Sequence, residues 1–249
     1  DTLMAAAQDG SLPIHNLQDC AVRIVKLLVK CWPAWKDEKM EIYAVKMGGL
    51  NDPVGFDFTP LLCSWKVRGN DGKKQQWAGI QVASDKALSG ILWEKEGSLN
   101  SLGEVLDLPL QPYTRYYYQI TVRSDAGEEA KSDIHYFETA KLSQPWRAKW
   151  IGVQGDATHP EFFKAFELRK DVQSARLYIC GLGIFEASIN GQKAGNDLLA
   201  PFINDYEEHY QYCTYDVTDL LKEQNELSVL LGDGWYRGHF GLGEPTHYD

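Results

Sequence analysis

The chain has 249 residues, 44% of them hydrophobic and 12% aromatic, which is enough for two domains that each bury a core. Its formal charge of −10 sets it against nucleic acid and anionic membrane surfaces, whose phosphates would repel it, so neither is expected as a partner; a neutral sugar is compatible. Five cysteines, Cys20, Cys31, Cys63, Cys180 and Cys213, form no CxxC and no paired spacing, so neither a disulfide framework nor a thiolate metal site is indicated.

Residues 1–39 read as a short helical segment. Asn16 is placed to cap LQDCAVRIVKLLVK, where Leu17, Ala21, Ile24, Val25 and Leu28 fall at helical spacing. Trp32-Pro33 stops it, because proline disfavours helical backbone in the preceding residue.

From Glu41 the pattern changes to strands. Asn51 to Gly55 and Gly69 to Gly72 are turns, Leu61 to Val67 is a strand around Trp65, and Trp77, Ile80 and Val82 belong to the next. Trp93 and Leu106 to Leu110 are expected on short edge elements. Tyr116, Tyr118, Ile120 and Val122 alternate with Tyr117, Gln119 and Thr121, the clearest period of two in the chain. Ser124 to Gly127 is a hairpin loop, followed by Ile134, Tyr136 and Phe137. About seven short strands in this space match an immunoglobulin-like sandwich. Lys141 to Arg147 breaks the pattern as a linker, and Trp146 and Trp150 are expected to pack at a domain junction.

Phe162 to Leu168 opens a second strand-rich region. Leu177, Ile179 and Leu182 share an apolar stretch, and Phe185, Ala187 and Ile189 alternate with Glu186, Ser188 and Asn190. Asn190-Gly191 is the dipeptide that best tolerates two positive φ values, so a hairpin turn follows. Gly195-Asn196-Asp197 is a second turn. Tyr210, Tyr212 and Tyr215 mark another strand, and Asp216 to Thr218 offer a cap for a helical turn over Asp219 to Lys222. Leu227, Val229 and Leu231 resume the alternation before Gly232-Asp233-Gly234-Trp235.

Four words in this region, GLGIFEASINGQKAG, the AP-x-x-x-DY run from Ala200 to Tyr206, YDVTDLL and LGDGWYRG, together resemble the N-terminal β-sandwich of bacterial α-L-rhamnosidases, inverting glycoside hydrolases. Phe202 departs from the pattern, which usually has glycine after the proline. Upstream, GIQVAS, LW, TRYYYQITV, FETA and AKWIG resemble the fibronectin-type-III-like domain that precedes that sandwich. The expected fold is therefore mainly β. It comprises a helical segment at 1–39, an immunoglobulin or fibronectin-III-like sandwich at 40–142 and a jelly-roll-like sandwich at 147–249, incomplete at its C-terminus. The resemblance implies a front region whose catalytic acids lie in a downstream helical barrel. An extracellular or periplasmic setting is slightly favoured. A stand-alone carbohydrate-binding or adhesion sandwich is the alternative.

No catalytic residue is assigned. Glu94 and Glu96, Glu128 and Glu129, and Glu207 and Glu208 read as surface charges, and the six histidines have no zinc spacing. The candidate sugar-binding residues are Asn196, Asp197, Asp233, Trp235 and Tyr236, on glycine-rich loops that allow close approach to a ligand. No cofactor is required; calcium is the one ion the resemblance brings in, with Asn196 and Asp197 as its oxygen ligands. Turn chemistry explains the same Asn and Asp residues, and the strand alternation would bury Trp235 unless Gly232 and Gly234 break it. The expected partners are a rhamnose-containing glycan and the catalytic helical barrel of the same parent protein.

Overall fold

A computed structural model describes residues 22–26, 39–69, 74–155 and 159–237. The described residues are mainly β, with fifteen strands and only short helical pieces. The chain divides into two compact units that interleave in sequence: the first runs to Asp52 and takes in Pro60–Leu108 and Tyr116–Tyr136, and the second comprises Pro53–Thr59, Pro109–Arg115 and the chain from Phe137 on.

The expected N-terminal helix falls largely outside the described residues; 22–26 are helical (α1), with Val22, Ile24 and Val25 exposed. Within the first unit, β1 (Glu41–Met47), β3 (Leu62–Arg68) and β6 (Glu104–Val105) form one sheet. In the other, β4 (Gln75–Ala83) lies between β5 (Ile91–Gly97) and β7 (Arg115–Ser124), with β8 (Glu129–Lys131) paired to β7. The period of two in β7 is a burial pattern, since Tyr116, Tyr118, Ile120 and Val122 are all buried. Beside them in the same sheet are Ala78, Ile80 and Val82 of β4, and Cys63 and Trp65 of β3 in the other sheet are buried as well. Trp65 can be core because its indole N–H donates to Gln75 Oε1 at 3.0 Å, while the Gln75 amide donates to the Leu99 carbonyl at 2.8 Å. Burial pushes the Cys63 thiol up to about 12, so it behaves as a small apolar group.

Trp77, Ile80 and Val82 all lie on β4, as expected; Trp77 is on the face opposite the other two, where the Arg123 guanidinium sits 5.2 Å from its ring centre. One sequence expectation changes here. Leu106 to Leu110 form no strand. The Leu106 N–H still bonds the Leu61 carbonyl at 3.0 Å, but Pro109 has no N–H with which to extend a ladder.

The second unit is built on a four-stranded antiparallel sheet ordered β10-β15-β12-β13, formed by β10 (Glu161–Glu167), β12 (Ile184–Ile189), β13 (Gln192–Lys193) and β15 (Gln224–Gly232). Facing it is a two-stranded sheet of β11 (Arg176–Ile179) and β14 (Cys213–Asp216). Asn190 and Gly191 form the loop between β12 and β13, with φ of 54° and 76°. Tyr210 and Tyr212 precede β14 rather than belonging to it, and the helical turn is a 3₁₀ turn over Thr218–Leu220. Asp216 does not act as its N-cap. Its carboxylate accepts from the Thr218 N–H and hydroxyl at 3.1 and 2.6 Å, the local turn that short acidic side chains favour.

This unit also contains β2 (Val54–Phe56), which runs parallel to the end of β9 (His135–Thr139). Glu138, at that end, is buried and held by Arg115 at 3.0 Å and Arg176 at 2.7 Å; Arg176 also reaches Asp216 at 2.8 Å. Desolvation works against the Arg176 charge, but Glu138 and then Asp216 together outweigh it and raise its pKa.

Candidate functional site

The loops chosen from sequence lie at one end of β12. The Ala200 carbonyl, just past the Asn196-Asp197 turn, accepts from Phe185 N–H at 2.8 Å, and Phe185 pairs on its other side with Leu231 of β15, two residues before Asp233. The two backbones flanking β12 are thus roughly 9–10 Å apart. Asn196, Asp197 and Asp233 are exposed there, and no hydrogen bond described joins Asp233 to the other two.

Each group also has a local role. Gly195 has φ +78°, and a Cβ there would meet the ring of Tyr215. The Tyr215 pKa is raised by burial first and by Cys213 and Asp197 after it. The Asp233 carbonyl accepts from the N–H groups of Tyr236 and Arg237 at 3.1 and 3.2 Å, closing the short helix α2 (Gly234–Arg237). Asp205 does the same for its own turn, accepting from Glu208 and His209.

The glycines do break the strand register before Trp235. Strand β15 ends at Gly232, and Gly234 has φ +48° and packs on Ile184. Trp235 is half-buried, with its indole nitrogen out of solvent. Tyr236 is half-buried and meets Tyr206 edge-on at 5.2 Å between ring centres. From Tyr206 the ring contacts continue to Tyr210 at 6.4 Å and from Tyr210 to Trp150 at 5.9 Å. These last two rings are open to solvent, Trp150 at 62% and Tyr210 at 51% exposure. The sequence signalled both as aromatic, but only folding brings such distant positions together.

Trp150 and Tyr210 stand at the mouth of a groove of about 590 Å³ in the second unit, whose floor carries Phe185, Leu227, Val229 and Leu231. Among the described residues that line it, Lys149 supplies an amine and no Asp or Glu supplies a carboxylate. The most buried carboxylates lie elsewhere and are engaged: Glu138 with its two arginines, and Glu104 with Lys95 at 2.6 Å. The Lys95 hydrogen bond holds Glu104 below the usual carboxylate range, the opposite of the raised pKa that a general acid needs.

Calcium takes about six to eight oxygen ligands. The Asn196-Asp197 turn offers one side-chain amide and one carboxylate, and among the described residues no three His, Cys, Asp or Glu side chains gather as a metal site. This donor set is sparse for the ion.

Comparison with known proteins places these features. Residues 170–249 match the protein family described as the α-L-rhamnosidase N-terminal domain, and residues 42–143 match the Rha78A-like, N-terminal immunoglobulin domain. An α-L-rhamnosidase of Formosa agariphila is 31% identical over 215 residues, 78% of this chain and 23% of that protein. The solved α-L-rhamnosidase of Dictyoglumus thermophilum superposes with a TM-score of 0.72 at 27% identity, over 84% of this chain and 27% of that one. The α-L-rhamnosidase of Aspergillus terreus gives a TM-score of 0.71 at 30% identity, over 84% of this chain and 25% of that one. The chain thus spans about a quarter of the length of these relatives.

Proposed function

Because residues 42–143 and 170–249 of this chain are N-terminal domains of the α-L-rhamnosidase family, we propose that it is the non-catalytic front region of a rhamnosidase-like glycoside hydrolase, and that its second unit weakly holds a rhamnose-containing glycan. The observation that carries this reading is the make-up of the groove. An inverting hydrolase needs two carboxyl groups facing each other roughly 6.5–9.5 Å apart, whereas the described lining is apolar and aromatic and supplies none. Such a surface binds without cleaving. A pyranose has a C–H face that packs on an open ring, and Trp150 and Tyr210 offer two at the groove mouth. Asn196, Asp197 and Asp233 are the exposed oxygens assigned to its hydroxyls.

The scaffolding role is docking on a catalytic helical barrel. Leu198, Leu199, Phe202 and Ile203 are 59–78% exposed on one loop, and apolar clusters of this kind mark surfaces that a partner covers. Phe202 adds an exposed ring to that cluster.

The glycan reading is tested by titration calorimetry of L-rhamnose, with and without calcium, on the wild type and on Trp150→Ala, Tyr210→Ala and Asp197→Ala, with thermal melts to check each fold. Weak binding that falls in the folded ring variants is expected. Binding absent from the wild type, or unchanged in all three folded variants, leaves scaffolding alone.

A further inference from the structure

In the first unit, the alternation that buries one face of β4 and β7 puts a different set of residues on the other face. There β4 carries Trp77, Gly79 and Gln81, and β7 carries Arg123, Thr121, Gln119 and Tyr117, each half-buried or exposed. The register sets Trp77 opposite Arg123, Gly79 opposite Thr121 and Gln81 opposite Gln119. Tyr117 lies six residues from Arg123 along β7, so the two ends of this face are roughly 20 Å apart. Both ends carry rings. At one, the six-membered ring of Trp77 occupies the space over Gly79, where a Cβ would come within 2.8 Å of it. The Arg123 guanidinium beside that ring is held by Glu129 at 2.8 Å. At the other end Tyr117 stands 6.5 Å from Tyr136 of β9, and both are half-buried. The middle is uncharged. Gln119 donates to the Ser132 carbonyl at 2.9 Å and Gln81 to Glu94 at 3.4 Å. Among the described residues each amide engages one N–H in this way, leaving its second N–H and its oxygen to a ligand. Formal charges sit on the flanking strands, Glu94 and Glu96 on β5 and Glu129 and Lys131 on β8.

We propose that this face binds a stretch of uncharged polysaccharide: Trp77 and the Tyr117–Tyr136 pair pack on the C–H faces of sugar rings, and Gln81, Gln119 and Thr121 exchange hydrogen bonds with the hydroxyls between them. A sugar hydroxyl both donates and accepts. Amides and hydroxyls answer it in both senses, whereas a carboxylate only accepts and an ammonium only donates. Half-buried aromatic side chains supply rigid contact area that keeps a polar edge wet. Charge selects the neutral polymer. The acidic and basic groups of this face nearly cancel, and the chain as a whole carries −10, so an anionic polymer meets repulsion and no cationic track. A protein partner fits less well, because its anchors need a desolvated apolar centre and this centre is made of amides and a hydroxyl.

This site shares no residue with the glycan reading of the second unit, so either can fail alone. The test runs the full chain in native affinity gels containing linear galactan, galactomannan or cereal β-glucan, with polygalacturonate as the charged control. Sedimentation velocity without polymer is the second readout. At least one uncharged polymer is expected to retard the chain, and polygalacturonate is not. Trp77→Ala and Tyr117→Ala should each raise the dissociation constant about tenfold. Gln81→Ala, at an exposed position where the fold is not at stake, should raise it about threefold. Leu102→Lys, also exposed in the first unit but off this face, should leave it unchanged. The proposal is overturned if none of the three uncharged polymers retards the chain, or if polygalacturonate alone does. Retardation that Trp150→Ala abolishes and Tyr117→Ala leaves intact also overturns it, by giving the polymer to the groove of the second unit. So does a dimer in sedimentation that Tyr117→Ala removes, which would make a second copy the occupant.

Discussion

At the residue scale, the second unit is organised by buried charge. The Glu138 and Arg176 side chains are 8 and 10% exposed, and each keeps another partner, Arg115 for one and Asp216 for the other. Removing one member of a buried pair strands the other charge in a medium that solvates it poorly, at a cost of about 3–5 kcal/mol. Arg176→Met should fall near the lower end of that range in urea unfolding, because Arg115 still reaches Glu138. Arg123→Met is the control: Arg123 pairs with Glu129, both more than 40% exposed, and should cost no more than about 1 kcal/mol. Equal losses in the two variants would show that Glu138 is not effectively desolvated. None of this network was legible in the sequence, since its members lie far apart along the chain. The same holds for the close approach of Gly195 to the Tyr215 ring, which gives part of a turn chosen for sugar binding a packing role.

At the element scale, the strands were the legible part. Period-two alternation in Tyr116 to Val122 and in Phe185 to Ile189 became buried faces, and Asn190-Gly191 became a two-residue loop with both φ values positive. Local pattern sufficed because those strands have one wet and one dry side. It was less informative where cover is incomplete: Leu227, Val229 and Leu231 alternate as cleanly as any core strand, yet the opposing sheet leaves them half-buried. The GLG word at Gly181 to Gly183 also has a structural meaning. Gly183 has φ +127°, and a Cβ there would strike the Gly232 carbonyl, just where β12 and β15 end together. Gly183→Ala should destabilise the second unit by more than about 1 kcal/mol, since both backbone angle and space are wrong, and the loss should appear as a lower urea midpoint. Wild-type stability in this variant would mean that the close approach is not maintained.

At the scale of the whole molecule, composition and motif order pointed to a mainly β chain with the front-end domains of rhamnosidases, and the matched families bear that out at residues 42–143 and 170–249. The interleaving of the two compact units was not legible: Pro53–Thr59 and Pro109–Arg115 group with the later residues, which only tertiary packing decides. The central claim is that this chain supports or binds but does not cleave. Its direct measurement is release of nitrophenol from a nitrophenyl α-L-rhamnoside by the purified chain. The account predicts a rate no different from buffer. Turnover that follows the chain through repurification would contradict it.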